Sequence, residues 1–308
     1  MKQSIGIEIK PLEKAKAQTY KQPRLAKLDV IPRIPFRISI IGASHSGKSV
    51  LVSSLLTSPD LYTNSFKKGN IIVFSPTSFS MDGVALDSTY EQCGIPIQNI
   101  YHPEQAGAVL DRLFEIKRAE KKKKDKVVPC LVIFDDCVHD KVMLRRVKQI
   151  EQVFVAGRHF GISSIFVSQY FFGTPKSIRQ QATFVCIFRN SGRRDFETFY
   201  ELYNPSNVDS KTFQRTIEAE LAKEDYSFIS VNMRVAPSKR FRLKFNDPPI
   251  SFQSNTNKQP SRGHLKRRYI DRSNTEYRPF KNNGTTASGE TTTGVSTAPE
   301  GGPEANGE

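Results

Sequence analysis

The segment IGASHSGKSVL, residues 41–51, decides the fold predicted for this chain. Gly42 to Ser49 match the pattern G-x-x-x-x-G-K-[ST] without a mismatch. This pattern needs a strand before it and a helix after it, and the flanking runs FRISIIG (36–42) and KSVLVSSLLTS (48–58) fit those elements. The segment therefore predicts a phosphate-binding loop, in which two glycines let successive backbone N–H groups point at phosphate oxygens.

The loop predicts both a nucleotide and a metal. Lys48 is expected to reach the β- and γ-phosphates of ATP, and the Ser49 hydroxyl is expected to ligate Mg²⁺. The alternative is a Gly/Ser turn followed by a surface lysine, which the flanking strand and helix disfavour. The predicted nucleotide-binding residues are Gly42, Ala43, Ser44, His45, Ser46, Gly47, Lys48 and Ser49.

Apolar runs alternate with helical patterns from about residue 36 to 235. The runs are continuously apolar rather than alternating, which is typical of parallel strands covered on both faces. We therefore predict an α/β domain with a mainly parallel sheet and helices on both of its faces. The further predicted strands are 70–76, 129–136, 162–169, 182–190 and a possible edge strand at 226–233, and the further helices are 103–122, 140–157 and 193–203.

An acid pair ends the most apolar of these strands, in the run CLVIFDD. We predict Asp135 as the Mg²⁺-side carboxylate and Asp136 as the general base that polarises the attacking water. A glutamate is more usual at the second position, and the alternative is that Asp136 starts a turn with Asp140. Gln169 ends the next predicted strand, where an amide can touch the γ-phosphate, although polar residues there also cap loops.

An arginine in GRHFGISSIFVSQ (157–169) is a candidate to act on a neighbouring subunit. Arginines inserted into a neighbour's site accelerate phosphoryl transfer strongly. Arg158 is the predicted finger, with Arg179 and Arg189 as rivals. For each of them, a plain surface arginine is the alternative.

Together GASHSGKS, LVIFDD and GRHFGISSIFVSQ resemble the viral genome-packaging ATPases of the FtsK–HerA superfamily, above all the poxvirus-type ATPases of large DNA viruses and virophages. The resemblance covers about residues 36–205 and includes the segment FFGTPKSIRQQATFVCIFRN. It implies a RecA-like core with strand order 5-1-4-3-2, a homo-oligomeric ring, and translocation of double-stranded DNA into a preformed capsid with a capsid or portal partner. Asp-Asp, where many members have Asp-Glu, departs from the pattern.

Charge and cysteine usage agree with a nucleic-acid partner inside a cell. The net charge is +15, and the basic segments 117–126, 189–194 and 262–272 contain no base-reading motif. The four cysteines form no CxxC pair, and no apolar run approaches a membrane span. We expect a soluble protein of the host cytoplasm or nucleus, transiently at the capsid vertex. The predicted domains are a basic arm (1–34), the ATPase domain (35–245) and a disordered tail (246–308).

Other functions remain open at this stage. A helicase-like or other DNA-translocating ATPase is the main alternative, followed by a phosphoryl transferase that uses the same loop. A conjugative pump usually carries membrane segments, and a binding module with a vestigial loop would not need all of the loop's functional residues.

Overall fold

The computed structural model describes residues 20–79, 89–123, 127–137, 147–246 and 248–252. These residues belong to one compact unit, Met1–Asn257, and a second unit, Lys258–Glu308, lies outside them. Within the described ranges, no helix is long and apolar enough to span a membrane. The helices are α1 Arg24–Lys27, α2 Lys48–Thr57, α3 Thr89–Gln92, α4 Ala106–Lys122, α5 Val147–Ala156, α6 Lys176–Gln181, α7 Arg193–Tyr203 and α8 Ser210–Leu221.

Eight strands form a single sheet in the order β3-β2-β4-β5-β1-β6-β7-β8. The first six strands are mutually parallel, while β7 pairs antiparallel with both β6 and β8. The strands are β1 Arg37–Ile41, β2 Ile71–Phe74, β3 Ile100–Tyr101, β4 Cys130–Asp135, β5 Ile162–Ser168, β6 Phe184–Phe188, β7 Phe228–Asn232 and β8 Phe241–Leu243.

The predicted α/β class and parallel core are confirmed, but the sheet is larger than expected. Numbered among themselves, the first five predicted strands follow the order 5-1-4-3-2, since β6, β1, β5, β4 and β2 are neighbours in that sequence. The short strand β3 adds to one edge, and β7 and β8 add to the other. The prediction of an edge strand at 226–233 was wrong, because β8 covers the outer side of β7.

Successive strand residues point to opposite faces of the sheet, and the side chains on both faces are buried. On β4, Leu131 and Ile133 join the core that contains α2, whereas Val132 and Phe134 join the core under α4 and α5. A third cluster fills the space between β6–β8 and the helices α7 and α8. Burial on both faces explains why these strands are continuously apolar rather than alternating.

Helix boundaries follow local signals in most cases. α2 begins directly after Gly47, which takes a left-handed conformation at φ 100°. The predicted helix 103–122 begins with a 3₁₀ turn, Pro103–Gln105, before α4. The predicted helix 193–203 coincides with α7, and of the predicted helix 140–157 the segment 147–156 is described as α5.

Residues on both sides of the predicted domain 35–245 pack into its core. The arm was expected to end at residue 34, yet Val30 and Ile31 are 1% exposed and lie in the core with α2. The Tyr62 hydroxyl also donates a hydrogen bond of 2.5 Å to the carbonyl of Pro32. At the other end Phe252 packs against the cluster under α7 and α8. The packed domain therefore includes residues on both sides of 35–245, while residues 1–19 and the basic cluster 262–272 lie outside the described ranges.

Candidate active site

The predicted phosphate loop connects the carboxyl end of β1 to the first turn of α2. The loop turns at His45 and Gly47, whose φ values are 60° and 100°. A β-carbon at Gly42 would lie 2.5 Å from Ser46 Oγ and 2.8 Å from Phe188 Cβ, so only glycine fits there without movement. The geometry thus requires glycine at two positions of the motif. Gly47 is required for its positive φ, and Gly42 is required because neighbouring side chains approach its backbone closely.

Lys48 folds back over this loop. Its Nζ donates hydrogen bonds to the carbonyls of Gly42 at 2.7 Å and Ala43 at 2.8 Å. Burial lowers the pKa of the Lys48 ammonium, and the nearby charges of Asp136 and Asp135 oppose that decrease. The ammonium therefore lies between the loop and the acid pair, where the oxygens of a polyphosphate can replace the two carbonyls as its partners.

Asp135 stands at the carboxyl end of β4 and is mostly buried. Burial raises the pKa of its carboxyl, and a hydrogen bond donated by the Tyr90 hydroxyl to Asp135 Oδ2 at 2.7 Å acts in the opposite direction. The neighbouring Asp136 raises this pKa further. A cation close to this carboxylate would stabilise its ionised form and lower its pKa.

Asp136 and Gln169 are hydrogen-bonded to each other. Gln169 Nε2 donates to Asp136 Oδ2 at 2.6 Å, and the Asp136 backbone N–H donates to the carbonyl of Val167 on β5. Asp136 has a φ of 52°, a left-handed conformation that few residues other than glycine adopt. Its other oxygen, Oδ1, is buried and has no hydrogen-bond partner among the described residues. One acceptor of the predicted base is therefore open to a further donor.

A small cavity of about 170 Å³ lies beside Ser49 and Asp135. Its other described lining residues mostly carry hydroxyl groups, and the Tyr90 hydroxyl is among them. Oxygen ligands of this kind suit Mg²⁺, which normally retains several waters and binds through one or two protein groups together with phosphates. The described part of the chain contains no group of three or more His, Cys, Asp or Glu side chains that could hold a metal ion.

Two residues of the site were missed by the sequence analysis. Tyr90, from the short helix α3, contacts Asp135 through its hydroxyl group. Asp195, 2% exposed near the start of α7, accepts hydrogen bonds from the backbone N–H groups of Phe171 at 2.6 Å and Phe172 at 2.9 Å. Asp195 thereby holds the turn that follows Gln169. Neither residue belongs to a local motif that could have identified it.

The three predicted arginines occupy different places. Arg158 precedes β5, so the length of that strand, roughly 20 Å for seven residues, separates it from the carboxyl edge. Arg189 follows β6 at the carboxyl edge and pairs with Asp225 at 3.4 Å. Arg179 is directed at a neighbouring ring, since its guanidinium lies 5.9 Å from the centroid of Phe171. Of the three, Arg158 is the one placed on the edge opposite to the phosphate loop of its own chain.

The basic segments also lie on opposite edges of the sheet. The described part of the lysine run, 117–123, lies at the end of α4 near the amino ends of the strands, although Lys117 itself is buried and pairs with Glu120 at 3.0 Å. The segment 189–194 lies at the carboxyl edge, where Arg193 is 92% exposed in its side chain. The third segment, 262–272, lies outside the described residues.

Comparison with known proteins gives one family and several relatives. The model of the poxvirus A32 protein family matches residues 26–218. Uncharacterized protein 015R of Frog virus 3 (isolate Goorha) is 26% identical over 156 residues, which cover 50% of this chain and 44% of the relative. Uncharacterized protein 088R of Invertebrate iridescent virus 3 is 25% identical over 196 residues, which cover 64% and 69%. The matched part of this chain thus spans less than half of the Frog virus 3 relative.

Among solved structures, the DNA-packaging ATPase B204 from Sulfolobus Turreted Icosahedral Virus matches with a TM-score of 0.45 and 17% identity. The match covers 71% of this chain and 99% of that protein. A structure of the genome-packaging NTPase B204 from Sulfolobus turreted icosahedral virus 2 in complex with ATP-gammaS matches with a TM-score of 0.42 and 18% identity, covering 70% and 99%.

Proposed function

This chain belongs to the poxvirus A32 protein family, and from that membership and its site we propose that it is an ATP-hydrolysing motor that packages double-stranded viral DNA into a preformed capsid. The observation that carries the hydrolytic part is the hydrogen bond from Gln169 to Asp136, next to an acid and a lysine of the phosphate loop. A general base held by a strand-end amide beside the phosphates is the arrangement that water attack on a γ-phosphate needs.

In this proposal the loop from Gly42 to Ser49 binds the phosphates of ATP through its backbone N–H groups. Lys48 exchanges its two carbonyl partners for phosphate oxygens. Ser49 and Asp135 would hold Mg²⁺, which would supply charge neutralisation for phosphoryl transfer. These assignments are supported by the shared hydroxyl-lined cavity of Ser49 and Asp135.

Asp136 acts as the general base. Its Oδ1 lacks a partner in the described residues, so this oxygen is available to accept a proton from the attacking water. Oxygen attack on the γ-phosphorus breaks the bond to the β-phosphate oxygen, and ADP departs with that oxygen. Gln169 keeps the Asp136 carboxylate in place through Oδ2 and senses the γ-phosphate.

The position of Arg158 supports a ring in which one subunit completes the site of the next. Arg158 lies a full strand length from the catalytic edge of its own sheet, so it can reach a γ-phosphate only across a subunit interface. A closed homo-oligomeric ring repeats such a head-to-tail contact at every interface. Arg189, at the carboxyl edge, remains a candidate for the same chain's own nucleotide.

The charge of the chain supports duplex DNA as the substrate that is moved. A packaging motor has to bind the phosphates of DNA of any sequence. The net charge of this chain, +15, suits such contacts. The capsid or portal protein is the expected assembly partner, and the infected cell's cytoplasm or nucleus is the expected compartment. Both follow from the proposed activity.

The experiment that tests this function is ATP turnover with and without duplex DNA. We expect Mg²⁺-dependent hydrolysis that increases several-fold with duplex DNA, and no measurable turnover for the matched Lys48→Ala variant. Stimulation by single-stranded DNA alone would indicate a helicase-like enzyme instead. Transfer of the γ-phosphate to an acceptor, with no release of inorganic phosphate, would indicate a phosphoryl transferase.

A further inference from the structure

A second cavity, of about 840 Å³, begins at the phosphate loop and extends away from the acid pair. One end is lined by residues of the loop and of α2, among them Gly47 and Lys48. The other end is lined by aromatic residues of the antiparallel extension of the sheet, which the sequence analysis did not connect with the site. A volume in this range is usual for small-molecule sites. The aromatic residues are Phe188, Tyr226, Phe228 and Phe245.

These aromatic side chains form a continuous wall. The ring centroids of Phe188 and Phe228 are 5.0 Å apart, and those of Phe228 and Phe245 are 5.5 Å apart. The wall reaches the phosphate loop directly, because a β-carbon at Gly47 would lie 3.5 Å from Phe188 Cε1 and 3.9 Å from Tyr226 Cβ. An apolar surface thus starts where the triphosphate of a bound nucleotide is proposed to end.

Tyr226 is the exposed member of this wall. It is 69% exposed, which is unusual for a large aromatic side chain beside an apolar cavity. Its φ is 52°, and Lys244, which also lines the cavity, has a φ of 54°. Such left-handed conformations of residues other than glycine cluster at ligand sites. Four of the five described cases in this chain lie at the two cavities or the acid pair, namely His45, Asp136, Tyr226 and Lys244.

Ion pairs hold the segments on which these residues lie. Lys244 pairs with Glu224, and Arg189 pairs with Asp225 at 3.4 Å, so both residues preceding Tyr226 are tied to neighbouring strand ends. The backbone N–H of Lys244 also donates to the carbonyl of Phe228. The segment that carries Tyr226 is thus connected by these contacts to the two neighbouring strand ends, although the Tyr226 ring itself is open to solvent.

Two polar side chains of this lining make contacts within the protein. Ser54 Oγ donates to the carbonyl of Val50 at 2.8 Å, and the Lys244 ammonium pairs with Glu224. The other described lining side chains outside the phosphate loop are apolar except for the Tyr226 hydroxyl, and within the loop His45 also lines the cavity. Sites that discriminate strongly between bases do so with unpaired hydrogen-bonding groups, whereas stacking surfaces accept any base.

From this geometry we infer that the cleft between Gly47, Tyr226 and Phe245 is the base subsite of the nucleotide, and that it binds purine and pyrimidine bases by stacking without reading their edges. This inference rests on the proposed function, because it assumes a triphosphate on the adjacent loop. It adds that the motor accepts nucleoside triphosphates in general rather than ATP alone.

The test measures the affinity of ATP, GTP, CTP and inorganic tripolyphosphate by calorimetry, each with Mg²⁺. The central variant is Tyr226→Asn, because asparagine tolerates the left-handed backbone while it removes the ring. Tyr226→Phe keeps the ring and serves as the conservative variant. Phe172→Ala is the matched control, since Phe172 is 57% exposed at the same edge of the sheet but does not line the cavity. A thermal melt of each variant confirms that it is folded.

We expect Tyr226→Asn to weaken each nucleotide by about tenfold or more, as the loss of one base stack does. Tripolyphosphate should bind equally to the wild-type protein and this variant. Wild-type affinities for ATP and GTP should lie within about a hundredfold of each other, the limit that an apolar pocket can discriminate.

Three results would overturn the inference. The first is binding of nucleotides by Tyr226→Asn as tightly as by wild type, and the second is a loss of tripolyphosphate affinity in this variant in parallel with nucleotide affinity. The third is a preference of the wild-type protein for one base by more than about a hundredfold. If the wild-type protein binds neither tripolyphosphate nor ATP, the assignment of the phosphate loop and the proposed function are both wrong. The base subsite is then wrong as well.

Discussion

Replacement of Asp136 by asparagine separates the chemistry of the site from its structure. The Gln169 amide donates to Asp136 Oδ2 at 2.6 Å, and an asparagine oxygen can accept the same hydrogen bond. Asparagine is also tolerated at a φ of 52°, where alanine would add backbone strain. The variant therefore keeps the shape and the hydrogen bond of the wild-type residue and removes its negative charge together with the ability to accept a proton.

The expected loss can be estimated from the role assigned to this carboxylate. General-base catalysis contributes about 10²- to 10⁴-fold, which corresponds to roughly 3–5 kcal/mol of transition-state stabilisation. We therefore expect kcat of Asp136→Asn to fall by about that factor. ATP affinity should stay within about twofold, because the residue is not proposed to touch the nucleotide in the ground state.

The assay combines phosphate release at saturating Mg²⁺-ATP with a direct measurement of ATP binding. Asp135→Asn is the comparison, since this neighbour is assigned to the metal and its loss should raise the Mg²⁺ concentration needed for activity. Turnover of Asp136→Asn within about threefold of wild type is far below the contribution of a general base, and it would refute the assignment. A parallel loss of ATP affinity would instead make Asp136 a binding residue.

Further predictions concern the loop, the acid pair, the ring and the DNA. Gly42→Ala should destabilise the protein by roughly 1–3 kcal/mol, as overpacking does, because the new methyl group would lie 2.5 Å from a neighbouring oxygen; a melting temperature equal to that of wild type would contradict this. Tyr90→Phe removes the hydrogen bond that lowers the pKa of Asp135, so this pKa should rise. Because the ionised carboxylate is the active form, the acid limb of the pH–rate profile should move to higher pH, and an unchanged profile would exclude the role of Tyr90. Arg158→Ala subunits should be inactive alone yet regain activity when mixed with Lys48→Ala subunits, since each supplies what the other lacks; mixtures without activity would argue against action across an interface. DNA affinity should fall by about 10³- to 10⁵-fold between 50 and 200 mM salt if six to ten phosphates are contacted, and a flat salt response would exclude phosphate-based gripping.

The parallel core could be predicted from sequence because its signals are local. Five of the six parallel strands lie in apolar-rich runs, and the loop between β1 and α2 is specified by glycines whose backbone requirements the structure confirms. β8 could not be predicted in this way, because three residues, Phe241–Leu243, carry no periodic pattern. α8 has apolar residues at a spacing of four, Phe213, Ile217 and Leu221, but is absent from the predicted helices.

The segment before β1 shows a different limit. Its prolines and polar residues suggested an arm, yet Val30 and Ile31 are almost completely buried. Burial of an irregular segment depends on tertiary contacts, such as the one between Tyr62 and Pro32, which no local pattern records. The same holds in the site, where Tyr90 and Asp195 contribute through contacts with residues distant in sequence. The residues found from sequence were those that belong to a motif, and those missed were the supporting residues.

The central claim is that ATP hydrolysis drives this protein along duplex DNA, and triplex displacement tests it most directly. A labelled third strand is annealed to a duplex, and its release is followed after addition of protein and Mg²⁺-ATP. The account predicts release with ATP, and none with a non-hydrolysable analogue or with the Lys48→Ala variant. DNA-stimulated hydrolysis by the wild-type protein with the third strand left in place would contradict the account.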